Sequence, residues 1–408
     1  MSFQALASLL MPSEPERRGL AVEADESWRF EPPAPADLVI WGRAPWPSGT
    51  SLGTLARAAL ARERALTRLR TNPPVPLRVV AIHRWPPADL VQKRARNKIR
   101  AAFLSGALVE LASVERPTRV IDAASRMAAG SETIDGFLPG SGGSALSRLR
   151  LTDGTQGILR VARAGGTADP ADAADALERL AADGAGLVPR LLARGVTAGA
   201  SWTLESGLRG HRPDHLTPAL TLALARFCAA LPRPAGPPIA HHEDLGQIAA
   251  TFAQHEPLLR RISRGLDARL SRLPAVMRHG DLWSGNLLVE RNTLTGVVDW
   301  DGWHPAATPG TDLLNLLGME DALNSRRQVG ERWLQQPWRS PGFERVSESY
   351  WRALDIDPET KMLEAVGIAW WAGQVAHSLG RDPTLLDDRR WTAANVEAVL
   401  GAVDLMLR

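Results

Sequence analysis

The 408-residue sequence predicts an α+β protein with a small strand-rich lobe and a helical lobe, preceded by a small α/β region. Three observations predict this class. Strand-like and helix-like stretches alternate over residues 1–130. Short apolar runs separated by turn signals crowd residues 131–210. Helical periodicity fills residues 211–408, interrupted by one hairpin. These three spans are the expected domains.

Bulk properties narrow the class. A chain 44% hydrophobic and 23% charged reads as soluble and globular. The formal charge is +3, yet the pI is about 9.6. The 48 basic residues are 45 Arg and 3 Lys, and there is one Tyr and one Cys. Few groups titrate between His and Lys, so a small excess of Arg lifts the pI. The high pI therefore does not predict a nucleic-acid partner. Cys228 is the single cysteine, which excludes an intrachain disulfide and suits a reducing cytoplasm, the expected location. The first residues lack the basic stretch of a signal peptide. No apolar run reaches the roughly 18 residues of a membrane span.

In the first region, Ala36–Gly42, Pro76–Trp85 and Ala107–Val114 read as strands, with helices over Ser51–Arg70 and Ala88–Gly106. No G-x-G-x-x-G follows a strand, so dinucleotide binding is not expected. The basic run Lys93, Arg94, Arg96, Lys98 and Arg100 reads as a solvated helix face. A structural or partner-binding role is expected for the region.

The second region, from Asp135 to Arg163, reads as three strands, with Asp153-Gly154 as the turn of a hairpin. A Gly-rich turn, Gly140, Ser141, Gly142 and Gly143, precedes the second strand. Asp169–Asp183 is a helix with an acidic start, and Val188–Ser206 holds two further strands.

The chemistry concentrates in "VMRHGDLWSGNLLVERNTLTGVVDWDGWHP", Val276–Pro305. His279, Asp281 and Asn286 follow the spacing H-x-D-x-x-x-x-N, and a hairpin returns the chain to Asp299 and Asp301. Two carboxylates and an amide oxygen thereby reach one spot. Hard oxygen donors of this kind suit Mg²⁺. A carboxylate held slightly apart can take a proton from a hydroxyl.

The segments "HGDLWSGNLLV", "GVVDWDGW" and "GTDLLNLL" resemble the aminoglycoside phosphotransferase and choline/fructosamine kinase group, small-molecule kinases with a protein-kinase-like fold. The resemblance spans about Ser131–Arg408. It implies that the strand-rich and helical lobes are the two lobes of that fold. It implies that Asp281 is the catalytic base, that Asn286 and Asp299 hold Mg²⁺, and that His279 and Asp312 brace the catalytic loop. Asp301 would touch metal or substrate. Gly140 to Gly143 would approach the nucleotide phosphates, and Arg160 stands where the family usually has Lys. The acid partner of Arg160 would be Glu178, or else Asp175. The connector Leu204–Gly210, with Glu205, resembles the hinge beside the adenine.

Only 12 residues separate Asp299 from Asp312, too few for a peptide-docking segment. The implied reaction moves the γ-phosphoryl of ATP or GTP, with Mg²⁺, to a hydroxyl of a small molecule such as a sugar, amino sugar, aminoglycoside or amino alcohol. Trp303, Trp370, Trp371, His377, Asp387 and Asp388 are candidates for lining the acceptor site. The alternative is a pseudokinase that binds nucleotide and scaffolds a partner.

Overall fold

The computed structural model describes residues 20–22, 38–41, 78–85, 106–112, 120–130, 134, 137–139, 144–164, 169–182, 186–325, 327–381 and 383–407. The helices expected over Ser51–Arg70 and Ala88–Gly106, with their basic run, lie outside these residues, as does the turn Gly140–Gly143. The chain forms two compact units. One comprises residues 1–171 and 192–207, the other residues 172–191 and 208–408.

The described residues of the first unit form two sheets. Strands β1 (Leu20–Val22), β2 (Leu38–Trp41), β3 (Arg78–Trp85) and β4 (Gly106–Ala112) form a four-stranded sheet in the order β1-β2-β4-β3. The β1–β2 pair is parallel, and β4 runs antiparallel to both its neighbours. Strand β1 has no counterpart in the sequence reading.

The second sheet has five strands in the order β5-β6-β7-β9-β8: β5 (Leu138–Pro139), β6 (Ala145–Arg150), β7 (Gln156–Arg163), β8 (Leu191–Thr197) and β9 (Ala200–Ser206). The β6–β7 turn is built as Asp153-Gly154 predicts. Gly154 takes φ +81°, and Asp153 Oδ1 accepts from Thr155 N at 2.9 Å. Alternation along β7 buries Leu159 and Val161 on one face and leaves Arg160 on the other. Helix Val120–Ala129 covers the apolar face, placing Val120, Ile121 and Ala124 in one cluster with Leu159, Val161, Trp202 and Leu204.

The second unit is helical. Its longest helix, Thr360–Arg381, is largely buried, and Trp300, Trp333, Trp338, Trp370, Trp371, Tyr350 and Phe343 fill the core around it. Helix starts carry local signals: Thr217 caps Pro218–Ala229 and Ser340 caps Pro341–Ala353, each with Pro in the first turn. Two antiparallel ribbons carry the chemistry-bearing loop. Strand β10 (Val276–Arg278) pairs with β13 (His304–Ala307), and β11 (Leu287–Glu290) pairs with β12 (Thr293–Val297). Arg291 and Asn292 join β11 to β12 with positive φ, the two-residue turn whose twist matches the flanking strands. Among the described residues, no helix is long and apolar enough to cross a membrane.

Candidate active site

The loop between β10 and β11 is shaped by its own backbone. Gly280 takes φ +84°, and a Cβ there would lie 1.9 Å from Gly302 O. Only glycine fits, because two backbone segments meet with no room for a side chain. Asp312, at the start of helix Thr311–Ser325, ties this loop down. Its Oδ2 accepts from His279 N at 2.7 Å and its Oδ1 from Gly280 N at 2.9 Å. His279 is fully buried against Trp300, with ring centroids 4.6 Å apart. Its Nε2 lies 2.9 Å from Val298 O, and Asp281 N donates to its Nδ1 at 3.3 Å. Those two contacts assign the proton to Nε2. His279 thus links the loop to the strand end that leads into Asp299.

The hairpin register brings Asn286 beside that strand end. Leu287 faces Val297, and Val298 N donates to Asn286 O at 2.9 Å, one residue before Asp299. Asn286 is buried, and its Nδ2 donates to Asp281 O at 2.8 Å and more weakly to Asp281 Oδ2 at 3.4 Å. This commits the amide nitrogen and leaves Oδ1 for a cation. With the carboxylate of Asp299, that hard-oxygen set fits Mg²⁺. Asp299 has φ +71°, a conformation unfavourable for a residue with a Cβ and tolerated where the surroundings fix it.

Asp281 sits in a low-dielectric position. Burial pushes its carboxyl up to about 6, and the negative charge of Asp299 adds to the rise. Arg381, His279 and the Asn286 hydrogen bond pull it back. Arg381, the last residue of helix Thr360–Arg381, places Nη1 3.4 Å from Asp281 Oδ2 and 3.3 Å from His377 Nε2. The His377 ring is pushed down to about 4, first by burial and then by Arg381 and Arg278, so it is neutral at pH 7. Gln374, on the same helix, donates to Gly280 O at 3.0 Å. Asn315 donates to Leu282 O at 3.1 Å. Arg278, which leads into the loop, is clamped by both oxygens of Asp244 at 2.9 and 3.0 Å. The sequence reading names none of Arg381, Gln374, Asn315, Arg278 or Asp244 for this loop.

The remaining predicted residues fall in several places. Asp301 is exposed in the short helical turn after Asp299. Trp370 and Trp371 do not line an open site: both are buried, and their indole N–H groups reach Asn315 Oδ1 and Asn395 O. Trp303 packs against the same core. Asp388 caps helix Arg389–Thr392, accepting from Arg390 N and Trp391 N, and Asp387 beside it is exposed. In the first unit, Arg160 Nε lies 3.2 Å from Glu205 Oε1, both largely buried on adjacent strands. Glu178 and Asp175 lie on the exposed face of helix Ala171–Ala182 in the second unit.

A sheet lobe and a helical lobe, with two carboxylates and an amide gathered on a loop and hairpin, define a kinase-like phosphotransferase. The model of the phosphotransferase enzyme family, APH, matches residues 138–355. The chain belongs to that family and is a small-molecule kinase. No curated protein matches the sequence. Among solved structures it is similar to an aminoglycoside-3'-phosphotransferase of type VIII, with 22% identity, 61% of this chain and 98% of that chain covered, and a TM-score of 0.43. It is similar to APH(3'')-Id from Streptomyces rimosus in complex with ADP and streptomycin, with 17% identity, 59% and 93% coverage, and a TM-score of 0.37. A third is an APH(2'') enzyme in complex with GDP and kanamycin, with 15% identity, 70% and 98% coverage, and a TM-score of 0.45.

Proposed function

We propose that this enzyme transfers the γ-phosphoryl group of a nucleoside triphosphate, ATP before GTP, to a hydroxyl of a small sugar, amino sugar, aminoglycoside or amino alcohol. The observation that carries the reading is the convergence of Asp281, Asn286 and Asp299 on one braced loop and hairpin. Asp281 accepts the proton of the acceptor hydroxyl, and its pKa of about 6 leaves it ionised and still basic at neutral pH. Asn286 and Asp299 would hold Mg²⁺, whose charge offsets that of the phosphates. Asp312, His279, Gln374 and Asn315 keep the Asp281 backbone in place, so little reorganisation accompanies the reaction. Arg160 is the proposed phosphate anchor of the first unit, held in place by Glu205. ADP and GDP in the complexes of similar proteins support a nucleotide co-substrate, and their streptomycin and kanamycin support an acceptor of the amino-sugar kind.

The test is turnover of ATP and GTP with Mg²⁺ against a panel of hydroxylated metabolites and aminoglycosides, with phosphorylated product read by mass. Acceptor-dependent formation of a phosphate ester in the wild type and its loss in Asp281→Asn are expected. Nucleotide binding with no product across the panel would favour a scaffolding role.

A further inference from the structure

A second cluster of donor atoms lies in the helical unit, apart from the Asp281 loop. His241 and His242 open helix Ala240–Thr251, and Asp267 lies near the end of helix Glu256–Leu270. His241 Nε2 and His242 Nε2 each lie 3.0 Å from Asp267 Oδ1. The two imidazole rings lie beside each other in a tilted arrangement, with centroids 4.2 Å apart and planes inclined by 32°. His241 is buried, whereas His242 and Asp267 are each about half exposed, with side-chain exposures of 45% and 47%. One side of the cluster therefore meets solvent.

We propose that His241, His242 and Asp267 form a binding site for a divalent transition-metal ion of the zinc class. Three features carry this. First, the ligand set is two imidazoles and one carboxylate, which suits Zn²⁺, Co²⁺ or Ni²⁺ better than Mg²⁺. Second, the spacing fits a shared ion. Two donors about 2.1 Å from one ion and 3.0 Å apart subtend about 90° there, the angle of neighbouring ligands on one face of an octahedron. Third, the second nitrogen of His242 is already oriented, because its Nδ1 lies 3.0 Å from Ser263 Oγ. An Nδ1–H donating to that hydroxyl leaves Nε2 as the bare ligand. The exposed side leaves positions for water.

An ion here would pin two helices together. One of them carries Asp244, three residues after His241, whose carboxylate clamps Arg278 just before the His279–Asp281 loop. The site is thus placed to stiffen the support of the catalytic loop without touching substrate.

The experiment uses the full-length protein stripped of metal, with excess Mg²⁺ present to saturate the phosphotransfer site. Zn²⁺ is titrated calorimetrically, and Co²⁺ by its visible absorption. One equivalent of each should bind in the micromolar range, and Zn²⁺ should raise the melting temperature. His242→Ala and Asp267→Asn change half-exposed side chains, so both should keep the fold, checked by circular dichroism, and should keep Mg-nucleotide binding. Each should weaken Zn²⁺ by at least about tenfold, since even the loss of an outer partner costs roughly 10–100-fold. Wild-type affinity for Zn²⁺ in folded His242→Ala, or no micromolar site in the wild type, overturns the proposal.

Discussion

Arg381 lies 3.4 Å from Asp281, across 100 residues of sequence, and sets a positive charge beside the proposed base. Its guanidinium favours the ionised carboxylate and opposes the burial that raises the Asp281 pKa. Arg381→Met keeps an apolar stem and removes the charge. In the nucleotide-free protein the Asp281 carboxyl should then titrate above its wild-type value of about 6. The check is a carboxyl-carbon NMR titration of both proteins. Equal midpoints would show that water screens the contact completely.

Asp281→Asn should lower turnover by roughly 10²–10⁴-fold, the scale of a general base, with Mg-nucleotide affinity nearly intact. The same change should stabilise the nucleotide-free protein. A carboxyl whose folded pKa of about 6 exceeds its ordinary value of 3.8 binds more protons folded than unfolded. Stability therefore falls as pH rises from about 4 to about 6 and stays lower above that. At pH 7.5 the gain from Asn should be at most about 3 kcal/mol, at 1.36 kcal/mol per pKa unit, and it should vanish near pH 3.5. Urea melts at the two pH values read it. Asp299→Asn differs: it should raise the Mg²⁺ requirement and weaken nucleotide. Calorimetry that finds metal binding lost in Asp281→Asn and kept in Asp299→Asn would reverse the assignment.

Arg160→Ala tests two roles of one ion pair. Loss of a phosphate anchor should weaken nucleotide by roughly 1.5–3 kcal/mol. Loss of the guanidinium beside Glu205 removes the cation from a largely buried ion pair and should destabilise the strand-rich unit by up to about 3–5 kcal/mol. Arg160→Lys should recover part of each. A destabilised protein with unchanged nucleotide affinity would reduce Arg160 to a brace for Glu205.

Asp312→Ala should unpair two loop N–H groups, at about 1–3 kcal/mol each, and slow turnover by misplacing Asp281. Asp312→Asn keeps one acceptor and should lie between. Turnover and melting temperature are measured together, because intact turnover in a destabilised variant would uncouple the brace from the chemistry.

A chain beginning at residue 119 should fold and bind Mg-nucleotide, because every proposed phosphotransfer residue lies beyond it. A chain beginning at residue 131 loses helix Val120–Ala129 and uncovers the apolar face of the five-stranded sheet. It should aggregate. Soluble, folded protein from the shorter chain would make that helix dispensable.

The site loop was legible in the sequence because its signals are local. The spacing of His279, Asp281 and Asn286 survives any packing, and the β11–β12 turn is set by adjacent residues. The hairpin at Asp153-Gly154 is legible for the same reason. The supports of the loop were not. Gln374 and Arg381 reach it from 94 and 100 residues away, and one Arg among 45 carries no mark of its partner. Helix Val120–Ala129 owes its apolar residues mostly to Ala, whose small side chain marks no core face in the sequence, although Ile121 and Ala124 are fully buried. Trp370 and Trp371 were candidates for a substrate wall. Composition cannot distinguish a pocket tryptophan from one whose N–H is answered inside the core.

Gly280 meets Gly302 backbone to backbone, with no space even for a methyl group. Laboratory evolution toward new acceptors therefore has a forbidden zone and an open one. Libraries that randomise residues 279–281 or 300–302 should return almost only dead clones. Variation in the turns after helix Thr360–Arg381, beyond Gln374 and Arg381, leaves that junction alone. Changed acceptor preference should be recovered there.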